Sequence, residues 1–253
     1  MTDTKRKFSS EAEFLANYDP SLFERPSVTA DILIFSVSNS NAENWRKANK
    51  QLFSVLLVRR DDYPQIGKWN LPGGFIGINE TASDATHRLL RSETGVIGDI
   101  YMEQLYTFDA PDRDPRTRVF SIAHMALINK NKLNYSGEHD AKWFTIEYNN
   151  GKLVLHNDDL ILTEQDLAFD HATIIKTGIK RLRNKIEYTD IVFDMMPEEF
   201  TLGELQQVYE IILGHKMIPA AFRRTIAKKV IPTGNIRSGA GHRPSVLFKR
   251  NPE

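Results

Sequence analysis

No cysteine occurs anywhere in the 253 residues. Disulfides, thiolate zinc sites, iron–sulfur clusters and a cysteine nucleophile are thereby excluded, and the composition suits a reducing compartment. Long hydrophobic runs are missing too. The longest apolar stretches, Ile32 to Phe35 and Val55 to Val58, fall far short of the roughly 18 residues that cross a bilayer, so no membrane partner is expected. The start, Met1-Thr2-Asp3-Thr4-Lys5-Arg6, has no apolar stretch behind it and predicts no secretory signal, which makes the cytoplasm the expected location. Net charge of either sign is absent as well: 33 Lys+Arg face 33 Asp+Glu, so a protein basic all over is excluded. With 41% hydrophobic and 26% charged residues, the length fits one large globular domain or two of ordinary size.

The neutral total conceals an asymmetry. Between Glu210 and Glu253 there is no acid, yet nine bases stand there: Lys216, Arg223, Arg224, Lys228, Lys229, Arg237, Arg243, Lys249 and Arg250. The remainder holds 24 bases against 33 acids, a formal −9. A basic end on an acidic body is the charge footprint of a protein that offers that end to a polyanion. A solvated basic face is the plain alternative.

Periodicity divides the chain. A polar opening to residue 25 holds a short helical stretch at 9–17. Strands are expected at 29–38, 51–60, 100–108, 118–128, 141–146 and 153–156, the first two rich in Val, Ile, Leu and Phe. A helix over 81–93 carries Ala82, Ala85, Leu89 and Leu90 on one side, with Thr81 or Ser83 to cap it and Gly95 to stop it. A second helix over 169–186 has Asp170 near its start and Lys180, Arg181, Arg183 and Lys185 toward its end, in the order the helix dipole favours. After Met195-Met196-Pro197, Thr201 and Glu204 form a capping box for a helix with the apolar stripe Leu202, Leu205, Val208, Tyr209 and Ile212. Gly214 ends it. Pro219 opens another helix, expected to reach about Val230, with Phe222 and Ile226 inward and Arg223, Arg224, Lys228 and Lys229 outward. A basic, glycine-rich hairpin through Arg237, His242 and Arg243 follows. Two short helices and such a hairpin spell a winged helix-turn-helix, with Thr201 and these bases as the DNA-binding candidates.

Gly74-Phe75-Ile76-Gly77-Ile78-Asn79-Glu80, seven further residues, then Arg88-Leu89-Leu90-Arg91-Ser92-Glu93-Thr94-Gly95-Val96 resembles the Nudix box. That pattern is Gly, five residues, Glu, seven residues, then Arg-Glu-apolar-x-Glu-Glu-x-Gly-apolar. The resemblance implies a mixed α/β/α sandwich. In active members the helical glutamates bind divalent ions that polarise a pyrophosphate and activate water. Here those positions are Leu89, Ser92 and Glu93, so two of three carboxylates are gone and no metal cluster or Mg²⁺ requirement is expected. Gly74, Glu80, Arg88 and Gly95 are then expected to shape and brace the loop and helix.

The stretch Phe108-Asp109-Ala110-Pro111-Asp112-Arg113-Asp114-Pro115-Arg116-Thr117-Arg118 resembles a segment of Nudix members that act on ADP-ribose and of related regulators. Arg113, Arg116 and Arg118 suit phosphate oxygens, and Asp109 and Asp114 suit ribose hydroxyls or those arginines. Arg60 joins this ligand set, and Trp69, Phe75 and Tyr106 are the candidate stacking partners for a base, each suiting the core at least as well. The alternative is a charged hairpin whose arginines pair with its own aspartates.

Together the two halves resemble the Nudix-related transcriptional regulators of the NrtR type. The expected division is an extension (1–25), a Nudix-like sensor (26–168), a connecting helix and linker (169–196) and a winged helix (197–253), an α+β chain overall. The resemblance implies a homodimer and a repressor role on a near-palindromic operator in NAD or related cofactor and sugar metabolism. It also implies an ADP-ribose-like nucleotide effector. The rival reading is a hydrolase of ADP-ribose or another nucleoside diphosphate derivative, motivated by Glu80, Arg88 and Glu93.

Overall fold

The run from Ser27 to Asn39, with the apolar stretch Ile32 to Phe35 at its centre, becomes the central strand, β1, buried on both faces from Thr29 to Val37. Continuous burial of that kind needs cover on each side, and the rest of the chain supplies it. In the computed structural model, residues 8–39, 50–95, 100–129, 140–158, 160–238 and 244–252 are described.

β1 pairs antiparallel with β2 (Gln51–Arg59) and parallel with β6 (Val119–Asn129). Beyond β6 lies β5 (Tyr101–Phe108); beyond β2 lie β7 (Ala141–Asn149), β8 (Lys152–Asn157) and β9 (Leu160–Thr163), in the order β5-β6-β1-β2-β7-β8-β9. Two short strands, β3 (Trp69–Asn70) and β4 (Gly73–Phe75), join β2 and β1 from the side. A short helix, α1 (Glu11–Asn17), precedes the sheet and buries none of its residues.

One face is covered by α2 (Ala82–Thr94), which lays Ala85, Leu89 and Leu90 on Ala30, Ile32, Ile34 and Leu56. Thr81 and Asp84 exchange a capping box at its start, and Gly95 closes it at φ +67°. The opposite face is covered by α3 (His171–Ile186). A Cβ on Gly178 of this helix would stand 2.0 Å from Leu33 Cδ2, so only glycine lets the helix axis approach β1 so closely. α3 therefore packs as a layer of the sandwich.

The same core runs on into the C-terminal unit. Met195, Met196 and Phe200 are buried, and α4 (Leu202–Leu213) and α5 (Pro219–Ile226) bring Leu205, Val208, Tyr209, Ile212, Phe222 and Ile226 to it. β10 (Val230–Arg237) and β11 (Ser245–Arg250) form the hairpin, and Phe200 adds a backbone bridge to Phe248. α5 stops at Ile226, four residues before the expected end. Lys229 N turns back to Ile226 O, because β10 must begin at Val230 to pair with Arg250.

Candidate functional site

The glycine-rich lead-in to α2 threads between the sheet and the box helix. A Cβ on Gly74 would stand 2.8 Å from Leu89 Cδ2, so the leucine fills the space directly under this loop. Glu80 serves the loop as well: its Oε1 accepts from Gly77 N at 2.6 Å and Arg88 Nη2 at 2.5 Å, and its Oε2 from Arg88 Nε at 3.0 Å. Arg88, then the Gly77 N–H, hold its carboxyl down at about 2. Ser92 Oγ donates back to Leu89 O at 3.3 Å. Of the box positions that bind metal in active enzymes, Leu89 is buried and apolar and Ser92 is neutral, which leaves Glu93. Among the described residues no group of three or more His, Asp or Glu side chains is arranged to hold a metal ion. This donor set does not fit a Mg²⁺ cluster, which needs oxygen ligands with negative charge.

Beside the loop lies a pocket of about 140 Å³ lined by Arg60, Phe75, Arg113, Asp114, Arg116, Phe169, Asp31 and His171, among others. Five of the expected ligand residues meet here. Arg116 sits over the Phe75 ring at 5.2 Å and over Phe169 at 6.0 Å, and Arg60 over Phe169 at 5.0 Å, so cations and rings alternate along the wall. Asp114 accepts from Arg116 Nε at 3.0 Å and Nη2 at 2.7 Å, and Arg116 foremost holds its carboxyl below the usual range.

Arg113 differs from the expectation of an open phosphate donor. Its side chain is 4% exposed and paired with Asp31 at 3.2 Å and Asp170 at 2.8 Å, both remote in sequence. Asp31 also accepts from Ser121 Oγ at 2.5 Å. His171 Nδ1 accepts from Leu71 N at 2.8 Å, which leaves the ring hydrogen on Nε2, 3.8 Å from Asp31 Oδ1. Burial lowers the His171 pKa, in keeping with that neutral tautomer.

Four expected ligand residues stand elsewhere. Trp69 is buried and packs edge-on against Phe144, because β3 turns it into the core. Tyr106 is exposed on β5 beside Phe108. Arg118 donates to the Asp109 carbonyl at 2.5 Å and stacks on Phe120 at 4.4 Å, so this pair closes the base of its own hairpin. Phe169, Asp170, His171 and Asp31 were absent from the expected set. The dipeptide of a carboxylate and an imidazole at a helix start was the available signal, and it reads equally well as an ordinary N-terminus.

In the C-terminal unit, Arg223 and Arg224 are exposed on α5 while Phe222 and Ile226 face inward. Lys228 is exposed in the turn after the helix. Lys229 points back to the body, paired with Asp190 at 2.9 Å and donating to Thr189 O at 3.0 Å. Arg237 is joined to Glu204 Oε1 at 2.7 Å, and Asn235 Nδ2 donates to Glu199 at 2.7 Å, so the hairpin is latched to the start of α4. Thr201 accepts from Glu204 N at 3.1 Å as the cap of α4. His242 and Arg243 lie outside the described residues. Between the helices, Glu210 fixes the turn, accepting from Gln206 at 2.9 Å, Met217 N at 3.0 Å and Lys216 at 2.7 Å.

A model of the NUDIX domain matches residues 44–162, and one of the NrtR DNA-binding winged helix domain matches residues 192–249. The ADPR responsive transcriptional repressor NtrR of Acinetobacter baylyi is 35% identical over 96% of this chain and 89% of its own. This chain belongs to the NrtR family. Among solved structures, Shewanella oneidensis NrtR complexed with a 27mer DNA is 29% identical at a TM-score of 0.67, over 89% of this chain and 94% of that one. A MutT/nudix family protein from Enterococcus faecalis is 27% identical at 0.76, over 96% and 94%. In this NrtR-family chain the two matched regions share one core through Phe193, Phe200 and α4. Among the described residues, no helix is long and apolar enough to cross a membrane.

Proposed function

We propose that this chain is an ADP-ribose-responsive transcriptional repressor whose Nudix sensor binds the nucleotide without hydrolysing it. It acts in the cytoplasm as a homodimer on genes of NAD or related cofactor metabolism. The observation that carries the reading is Leu89 closing the metal face of the box helix beside an intact arginine–aromatic pocket. Such a pocket retains the means to recognise a phosphorylated nucleotide and lacks the means to cut it. The name of the Acinetobacter relative supports both the effector and the direction of control.

The DNA-binding face is α5, with Arg223 and Arg224 toward base edges and Lys228 toward phosphate. A two-fold dimer sets two such helices about 34 Å apart, which asks for a near-palindromic operator. At about 140 Å³ the pocket is smaller than the roughly 300–1,000 Å³ usual for whole ligands, so it takes one part of ADP-ribose while the rest lies toward the open loop at Phe75–Glu80.

Binding to a panel of duplexes, with and without ADP-ribose, at two salt concentrations tests the proposal. A duplex-selective, salt-dependent affinity that ADP-ribose shifts is expected. A parallel incubation with Mg²⁺ or Mn²⁺ measures AMP release. Turnover near the enzyme median of about 10 s⁻¹, with no affinity for any duplex, would replace this reading by the hydrolase.

A further inference from the structure

Phe169 and His171, at the start of α3, line the pocket, and Asp170 between them holds Arg113, another of its lining residues. Phe169 takes φ +51°, a left-handed conformation rare outside glycine, and is kept there by its N–H donating to Gln65 Oε1 at 2.9 Å. Its ring lies between Arg60 and Arg116. Asp170 occupies the cap position of α3 yet makes no cap bond; its two oxygens hold Arg113 instead, at 3.0 and 2.8 Å. His171 is tied to Leu71 N. The N-terminal end of α3 is thus fastened in part by the pocket's own arginines, Arg113 through Asp170 and Arg60 and Arg116 through the Phe169 ring.

The other end touches the DNA-binding unit. Arg183 Nε donates at 2.6 Å to Ile212 O, in the last turn of α4, and its guanidinium lies over the Tyr148 ring at 5.2 Å. Just past the helix, Asp190 grips Lys229, which follows α5. The 16 residues of α3 make a rod of about 24 Å, too stiff to absorb a shift along its length.

Every strong bond of Arg113 and Arg116 in the pocket is to a carboxylate of the chain itself. A phosphate oxygen entering there competes with those carboxylates for the same guanidinium hydrogens. Losing Arg113 frees Asp170 and unpins the start of α3, whereas losing Arg116 frees only Asp114 in its own loop. The two exchanges therefore have different reach.

Resting on the assignment of a nucleotide effector to this pocket, we propose that Phe169–Asp170–His171 is the effector-reading turn. A phosphate of the ligand takes the Arg113 hydrogen bonds now made by Asp170, Phe169 offers its ring to a planar part of the ligand, and α3 carries the displacement to α4 and Lys229.

The test uses the full chain, calorimetry with ADP-ribose, and fluorescence anisotropy with the duplex selected by the panel. Asp170→Asn keeps the shape and one acceptor but removes the competing charge. It is expected to bind ADP-ribose several-fold tighter while the shift in duplex affinity, typically about 5–150-fold in coupled systems, drops below about two-fold. Arg183→Met lies far from the pocket and is expected to keep ADP-ribose affinity and lose the shift, with Arg183→Lys recovering part of it. Phe169→Leu, which keeps an apolar side chain, is expected to weaken ADP-ribose and serves where Asp170→Asn fails to fold. Unaltered or weaker binding by Asp170→Asn, or a full shift in Arg183→Met, overturns the relay while leaving the effector assignment standing. Absence of ADP-ribose binding by the unaltered chain overturns both.

Discussion

Replacing Arg223 and Arg224 by alanine is expected to weaken duplex binding by about 1–3 kcal/mol for each arginine that reads a base, roughly 5–150-fold. The structure makes this a clean perturbation. Both side chains are exposed, and the packing of α5 rests on Phe222 and Ile226, which stay in place. Alanine removes no buried area and favours helix, so stability should change by no more than about 0.5 kcal/mol. Lys228→Ala should act differently, lowering affinity evenly across sequences and reducing the slope of log K against log salt by about 1, as removing one cation from a phosphate does. Arg237→Ala is the internal control. Its guanidinium is paired with Glu204, so its removal should leave the salt slope unchanged and cost about 0.2–1 kcal/mol of hairpin stability, the range for a pair half open to solvent. Anisotropy titrations of the selected duplex and a scrambled one, at several salt concentrations, separate the three. The α5 assignment fails if the double arginine variant keeps its preference for the selected duplex. The latch fails if Arg237→Ala flattens the salt slope as Lys228→Ala does.

Gly178→Ala should destabilise the chain by up to about 2 kcal/mol in urea unfolding: the added methyl meets Leu33 at 2.0 Å, an overpacking cost of about 1–3 kcal/mol, offset by about 1 kcal/mol of helix propensity. A variant more stable than the parent, by the full propensity gain of about 1 kcal/mol, would mean that α3 and β1 do not approach each other so closely. Glu210 gives a pH signature. Burial opposes its ionisation, but the bonds from Lys216, Gln206 and Met217 N outweigh this and hold the carboxyl at about 2, below the ordinary 4.5. Its contribution is complete above about pH 4.5 and is lost as pH falls from there toward 2. Fluorescence-monitored urea unfolding over that window should show a shallower loss of stability in Glu210→Gln than in the parent; equal slopes would reject the role of this carboxylate.

Local and periodic signals carried far in this chain. The caps Thr81–Asp84 and Thr201–Glu204, the stops Gly95 and Gly214, and the inward pair Phe222 and Ile226 all depend on neighbours within four residues, and all can be read in one dimension. The end of α5 could not, because it is set by the pairing of Val230 with Arg250, twenty residues on. The site divides along the same line. Arg116 with Asp114, and Arg118 with the Asp109 carbonyl, are short-range and match the reading of a hairpin that pairs with itself. Arg113 with Asp31 and Asp170 spans 82 and 57 residues, and no local pattern announces it. Trp69 stood open between a stacking wall and the core, since an aromatic in a turn-dense segment suits both, and a two-residue strand turns it into the core.

Leu89 ties the chemistry open to α2 to the packing of the loop above it. A carboxylate at this position on α2 must be solvated or bound to a cation, which keeps the space under the loop polar. A leucine there needs neither and joins Ala85 and Leu90 against Ile32 and Ile34. Its packing under Gly74 now helps define the loop that ends at Phe75, and Phe75 is a wall of the pocket. Reintroducing glutamate at 89 would therefore not simply recreate a metal ligand. It would place a charge in a space 5% exposed, against the backbone that shapes the pocket, with Ser92 still supplying no second carboxylate. The cost of burying that charge falls on the same loop that lines the pocket, so a carboxylate and the present packing compete for one position in the sequence.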